Sequence, residues 1–240
     1  MFIYFIEHCF YKYMIDVRIY LLPYTLMKSH LSTLSLLTLL LTTPLANAQQ
    51  PTTEFDYISG GFQYTGLSHE FTSSHYFHHD KEGTTVADSM AGAYLKGSWN
   101  FTHRLYVTGK IELSKRNQFS LTHQNAGVGF YQPISPSLAL FTTLGVAHFE
   151  LEQGEVFGHK SKEYSESGAS GEIGLRYTPF EVWLLEPSYR TDQLKDTFRE
   201  YRLGNVFNVS NNMKIEANFS YSTIDKYSMT SYQVGVRYTF

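Results

Sequence analysis

Tyr232-Gln233-Val234-Gly235-Val236-Arg237-Tyr238-Thr239-Phe240 closes the 240-residue chain. Its large side chains, Tyr232, Val234, Val236, Tyr238 and Phe240, fall at every second position, with Ser231, Gln233, Gly235, Arg237 and Thr239 between them. Successive side chains of a strand point to opposite faces, so this spacing reads as a strand with one apolar and one polar face. The phase repeats upstream. Ile215, Ala217, Phe219 and Tyr221 oppose Lys214, Glu216, Asn218 and Ser220, and Tyr201, Leu203, Phe207 and Val209 oppose Glu200, Arg202 and Asn208. Trp183, Leu185 and Tyr189 oppose Glu186, Ser188 and Arg190, and Ile173, Leu175 and Tyr177 oppose Glu172, Gly174 and Arg176.

Further back, Leu140, Leu144 and Val146 mark one segment and Ala126, Val128 and Phe130 another. Leu105, Val107, Ile111 and Leu113 then oppose Tyr106, Thr108, Lys110 and Glu112; Ala93, Leu95 and Trp99 oppose Tyr94, Lys96 and Ser98. The first segment surrounds Ile58, Phe62 and Tyr64. About ten strands result, with eight as the alternative count, and the fold class is all-β. Short connections are expected at Phe101–Arg104, Gln132–Ser137, Thr178–Glu181 and Ser210–Met213. Longer ones are expected at Leu67–Val86, Ser114–Ser120, Leu151–Ser167, Thr191–Thr197 and Thr223–Ser228.

Ahead of the strands, Met27–Ala48 has a Lys near its start, a Leu/Thr-rich middle and the small-x-small end Ala46-Asn47-Ala48. That is the layout of a secretory signal peptide cleaved after Ala48, too short in its apolar core for a spanning helix. Residues 1–26 match no export region and read as an over-extended start. The expected mature chain, residues 49–240, loses Lys12, Arg18, Lys28, Glu7 and Asp16 with the leader, which leaves 16 basic and 20 acidic residues. A net charge of −4 argues against a nucleic-acid partner. The single cysteine, Cys9, lies in the leader, so the mature part has neither disulfide nor thiol chemistry.

Alternation alone does not say which face is inside. A soluble sandwich or lipocalin-like barrel buries its apolar faces; a transmembrane antiparallel up-and-down β-barrel turns them to lipid. Export and a cluster of aromatics beside the short turns, namely Trp99, Phe101, Tyr177, Phe207, Tyr238 and Phe240, favour the membrane barrel, as an interfacial girdle requires.

On the segments Asp56–Tyr64, Ala93–Gly109, Ala126–Phe149 and Gly171–Phe180, and on the closing Phe, the chain resembles the small bacterial outer-membrane β-barrel family, opacity-protein-like or porin-like. The stretch from Gln233, through Gly235 and Tyr238, to Phe240 also resembles the signal read by the barrel-assembly machinery. The resemblance implies a multi-pass location in the bacterial outer membrane and contact with its lipid and lipopolysaccharide. It further implies a structural or surface-interaction role in adhesion or envelope integrity, with an extracellular or host ligand taken through the long loops. It supplies no catalytic residue and no cofactor. A small low-conductance channel is the alternative function.

The polar face defines a lumen network: Lys96, Lys110, Glu112, Glu172, Arg176, Glu186, Arg190, Glu200, Arg202, Lys214, Glu216 and Arg237. Charges of both signs in a narrow lumen are expected to pair, since an unpaired buried charge is costly; Glu172 and Arg176 are expected to reach Glu112 or Lys110. In the first long loop, His75, His78, His79 and Asp80, with His69 and Glu82 nearby, offer imidazole and carboxylate ligands for a transition metal. Phe71, Tyr76 and Phe77 in that loop suit a contact surface for a partner or lipopolysaccharide, and equally insertion into the outer leaflet. A rim enzyme would use His123 with Ser120, or His148 with Glu150; neither pair has a third partner in the sequence.

Overall fold

A computed structural model describes residues 54–68, 88–117, 119–153, 162–225 and 227–240. The leader and the candidate metal ligands His75, His78, His79 and Asp80 lie outside the described residues.

Ten strands follow in order: β1 (Tyr57–Leu67), β2 (Ser89–Asn100), β3 (Leu105–Arg116), β4 (Phe119–Ser135), β5 (Leu138–Gln153), β6 (Lys162–Phe180), β7 (Trp183–Gln193), β8 (Phe198–Asn208), β9 (Met213–Ile224) and β10 (Tyr227–Thr239). Each pairs antiparallel with its neighbours in sequence, and β10 returns to β1, closing the barrel. The terminal stretch is the closing seam: Val236 sits opposite Gly60, Val234 opposite Phe62, and Tyr232 opposite Tyr64. Closure leaves no unpaired sheet edge, which a membrane-spanning sheet requires.

The register is strongly staggered. Gly66 near the end of β1 faces Thr230, and the row continues through Tyr221, Tyr201, Tyr189, Ile173, Thr142 and Phe130 to Leu105, the first residue of β3. A row of partners that starts near one end of the barrel and finishes at the other means steeply tilted strands, as a closed barrel of this size demands.

The strands are longer than the alternation indicated, so the connections are shorter. β3 joins β4 across residues 117–118, and β9 joins β10 across 225–226. Asn117 and Asp225 take positive φ of 52° and 48° there, the left-handed conformation that matches a two-residue turn to strand twist and that Asn and Asp tolerate. Of the five connections expected to be long, 68–88 and 154–161 remain so; the other three are as tight as those at the opposite end. The reason is that the polar turn segments still pair across strands above the apolar band, and pairing does not depend on the apolar pattern.

Across the middle of the barrel outward positions are apolar and inward positions polar, the inverse of a soluble barrel. Val234, Phe62 and Leu144 are 60%, 81% and 72% exposed, whereas Arg237, Arg190 and Glu216 are 2%, 2% and 1% exposed. A continuous outward band of Leu, Val, Ile and aromatic side chains would be strongly unfavourable in water and is favourable in lipid. Near the short-turn end Trp99, Phe101, Tyr177, Phe180, Phe207 and Tyr238 point outward, as a girdle at the bilayer boundary does. The protein is a transmembrane β-barrel of the outer-membrane type. Among the described residues no helix is long and apolar enough to cross a membrane.

Candidate functional site

The interior is filled in three layers. At the short-turn end the residues leading into β1 cross the mouth as a strap. Asp56 accepts hydrogen bonds from Asn100 N (2.6 Å) and Asn100 Nδ2 (3.0 Å), and its carbonyl accepts from Phe240 N (3.3 Å). Glu54 receives Lys214 Nζ on Oε2 at 3.0 Å and Arg176 Nη1 on its carbonyl at 2.8 Å. Held at both sides, the strap inserts Phe55, which is 4% exposed. The Phe55 ring stacks on Tyr106 (4.3 Å between centroids) and Tyr131 (4.5 Å), meets Phe141 edge-on (6.1 Å), and lies 4.2 Å from the Arg176 guanidinium carbon. These are the separations at which aromatic and cation–π contacts are favourable.

Two glycines make this aromatic layer possible. Tyr106 lies directly opposite Gly129, and Phe141 opposite Gly174. A Cβ on Gly129 would stand 2.1 Å from the Tyr106 ring, and one on Gly174 would stand 2.5 Å from the Phe141 ring. Each ring therefore lies flat over a bare backbone on the next strand, a cross-strand arrangement that covers the glycine.

The middle layer is charged and falls into two groups. In the lower one, Arg237 Nη2 donates to Glu186 Oε2 (2.6 Å) and its Nε donates to Glu216 Oε1. Arg176 Nε donates to Glu186 Oε1 (2.7 Å), and Tyr94 Oη to Glu216 Oε2 (2.9 Å). In the upper one, Glu200 Oε2 accepts from Arg190 Nη2 (2.9 Å) and Arg202 Nη2 (2.6 Å). Asp192, fully buried, contacts His123 Nε2 (3.0 Å) and accepts from Ser170 Oγ (2.5 Å). Lys110 Nζ lies 2.5 Å from Glu112 Oε1, and Gln233 Nε2 donates to the same oxygen (2.6 Å) and to Gln63 Oε1 (3.0 Å).

All twelve expected lumen residues face inward or, for Lys214, line the mouth, but their partners differ from those expected. Arg176 goes to Glu186 and Lys110 to Glu112; neither Glu172 nor Lys96 has an ion pair within 4 Å among the described residues. The cause is register. Arg190 and Glu200 are direct cross-strand partners and Lys110 and Glu112 lie two apart on β3, while the stagger also brings Arg237 of β10 to Glu186 of β7 across the lumen. Tyr94, already on the polar face of its segment, and Asp192 and Glu54, which carry no such assignment above, complete the network. Asp192 shares the parity of Arg190 on β7 and so its inward face.

At the long-loop end the inward face turns apolar. Met90, Phe119, Phe149, Leu151, Phe198 and Met229 form a buried cluster there. His123 sits beneath it, with its ring 4.7 Å from Phe198 and 6.1 Å from Phe149.

The two rim-enzyme pairs fare differently. Ser120 and His123 are separated by an odd number of positions on β4, so they occupy opposite faces, and His123 is buried in the lumen. His148 and Glu150 share the outer face of β5, where His148 Nδ1 is 2.8 Å from Ser167 Oγ. Glu150, Glu152 and Glu163 bring three carboxylates together on the exposed face near the long-loop end. At the closing seam, Tyr238 and Phe240 point outward and Gln233 inward.

No protein-family model matches the chain, and no curated protein matches it. Solved structures do. Ail, the attachment invasion locus protein of Yersinia pestis, is 18% identical with a TM-score of 0.40, over 77% of this chain and 97% of that one. The outer membrane protein OprG from Pseudomonas aeruginosa is 16% identical with a TM-score of 0.40, over 80% and 99%. Neisserial surface protein A is 11% identical with a TM-score of 0.41, over 77% and 96%. At these values the likeness concerns the fold alone, and the barrel class rests on this chain's own register and faces.

Proposed function

We propose that this protein is a sealed outer-membrane barrel with a structural or surface-contact role in the envelope, rather than a pore. One observation carries the reading: the lumen is filled along its length, corked by Phe55 at one end and by the Phe149–Phe198 cluster at the other, with paired charges between. Two adjoining interior spaces beside the charged layer, with Lys96, Lys110, Glu172 and Arg202 in both walls, measure about 30 Å³ each, room for a few water molecules. Contacts with other molecules then belong to the outward face and the long-loop end. Lipid, lipopolysaccharide, the barrel-assembly machinery and an extracellular ligand are the partners this reading includes.

Planar-bilayer recording of the purified protein tests it, with no stable single-channel steps expected. Large, stable steps would overturn the sealed barrel and return the small-channel reading. A deletion strain scored for detergent sensitivity and adhesion, beside solute uptake, then separates envelope support from transport.

A further inference from the structure

The upper of the two interior spaces has an unusual lining. Four cationic side chains border it, Lys96, Lys110, Arg190 and Arg202, against one carboxylate, Glu172. Lys96 and Lys110 are direct cross-strand partners on β2 and β3, an arrangement in which like charges repel. The carboxylates that neutralise these cations, Glu112 and Glu200, are not in the lining. Two buried guanidinium nitrogens here, Arg190 Nε and Arg202 Nε, have no hydrogen-bond partner among the described residues, while Lys110 Nζ meets Glu112. Gly127 and Gly145, opposite one another on β4 and β5, bring no side chain to fill the space. Buried donors without acceptors and cations facing one cavity both favour a negatively charged occupant.

We propose that this cavity is a binding site for one small monovalent anion of chloride size. The volume of about 30 Å³ gives room for one small ion beside the side chains that line it. On the sealed-barrel reading the lumen is closed above by the apolar cluster and below by Phe55, so the anion enters as the barrel forms and stays with the folded state. Stability in halide then exceeds stability in a bulky anion at equal ionic strength, a comparison that removes general screening.

The barrel, refolded and crystallised in bromide, is examined by anomalous diffraction at the bromine edge. A single peak between Lys110 and Arg202 is expected. A map with no peak in that cavity, whatever water it shows, overturns the site. The companion measurement is the unfolding midpoint across a bromide-for-gluconate series. Lys96→Met is the informative variant, since among the described residues Lys96 has no carboxylate within ion-pair distance to leave stranded. It should move the bromide dependence to concentrations at least about tenfold higher. An unchanged dependence in a folded Lys96→Met barrel would also count against the site, and neither result bears on whether the barrel conducts.

Discussion

Replacing Phe55 by Ala isolates the cork from the rest of the barrel. The ring is 4% exposed and touches Tyr106, Tyr131, Phe141 and the Arg176 guanidinium. Deleting a buried Phe side chain costs about 3–5 kcal/mol through lost transfer energy and the cavity left behind. Phe55 sits at the mouth, where water can follow the vacated ring, so the lower limit, about 3 kcal/mol, is the better figure. That is a loss of roughly a hundredfold in the folded-to-unfolded ratio. The hydrogen bonds of the strap use the backbone of Glu54 and the side chain of Asp56, so the strap itself can stay in place. Urea unfolding in detergent, followed by the fluorescence of Trp99 and Trp183, should show a lower midpoint with an unchanged slope. Phe55→Leu should recover part of the loss, because it restores apolar volume without the stack or the cation–π contact. A shift below about 1 kcal/mol in Phe55→Ala would refute the idea that this ring holds the mouth together. The variant should still fail to conduct, since on the sealed-barrel reading the Phe149–Phe198 cluster closes the other end independently.

Two further substitutions probe the faces and the charges. Val234→Arg places a cation on the outward face near the middle of β10 and should destabilise the barrel in lipid by about 2–4 kcal/mol; Gln233→Arg one position away enters the lumen instead, and equal effects of the two would contradict the assignment of inside and outside. Arg237→Met strips Glu216 and Glu186 of a shared partner and should cost about 3–5 kcal/mol. Adding Glu216→Gln should return part of that loss, and strictly additive unfolding energies in the double variant would show that the pair is not coupled.

Much of the architecture is legible in individual residues. Arg237 between Val236 and Tyr238 already assigns β10 its two faces, and the same reading placed Glu216, Glu200 and Arg190 inward. The apolar clusters inside the barrel were not legible. Phe149 and Leu151 continue the lumen-facing parity of β5, yet they are apolar, so a rule that equates polar with inward misassigns them. Phe55 stands before the first alternating segment and carries no periodic signal. Gly129 and Gly174 could not be tied to Tyr106 and Phe141, because the link exists only between strands.

The sequence by itself determined that the chain forms strands and which side chains share a face, because a strand's period of two is a local property that neighbours in the chain reveal; it left the count at ten or eight. Only the tertiary structure decided which carboxylate meets which guanidinium, that Phe55 and the Phe149–Phe198 cluster lie at either end of the paired charges, and that four cations border one small cavity. Those outcomes depend on the stagger between strands far apart in sequence. A shift of register would leave every residue on its strand and give each a different partner.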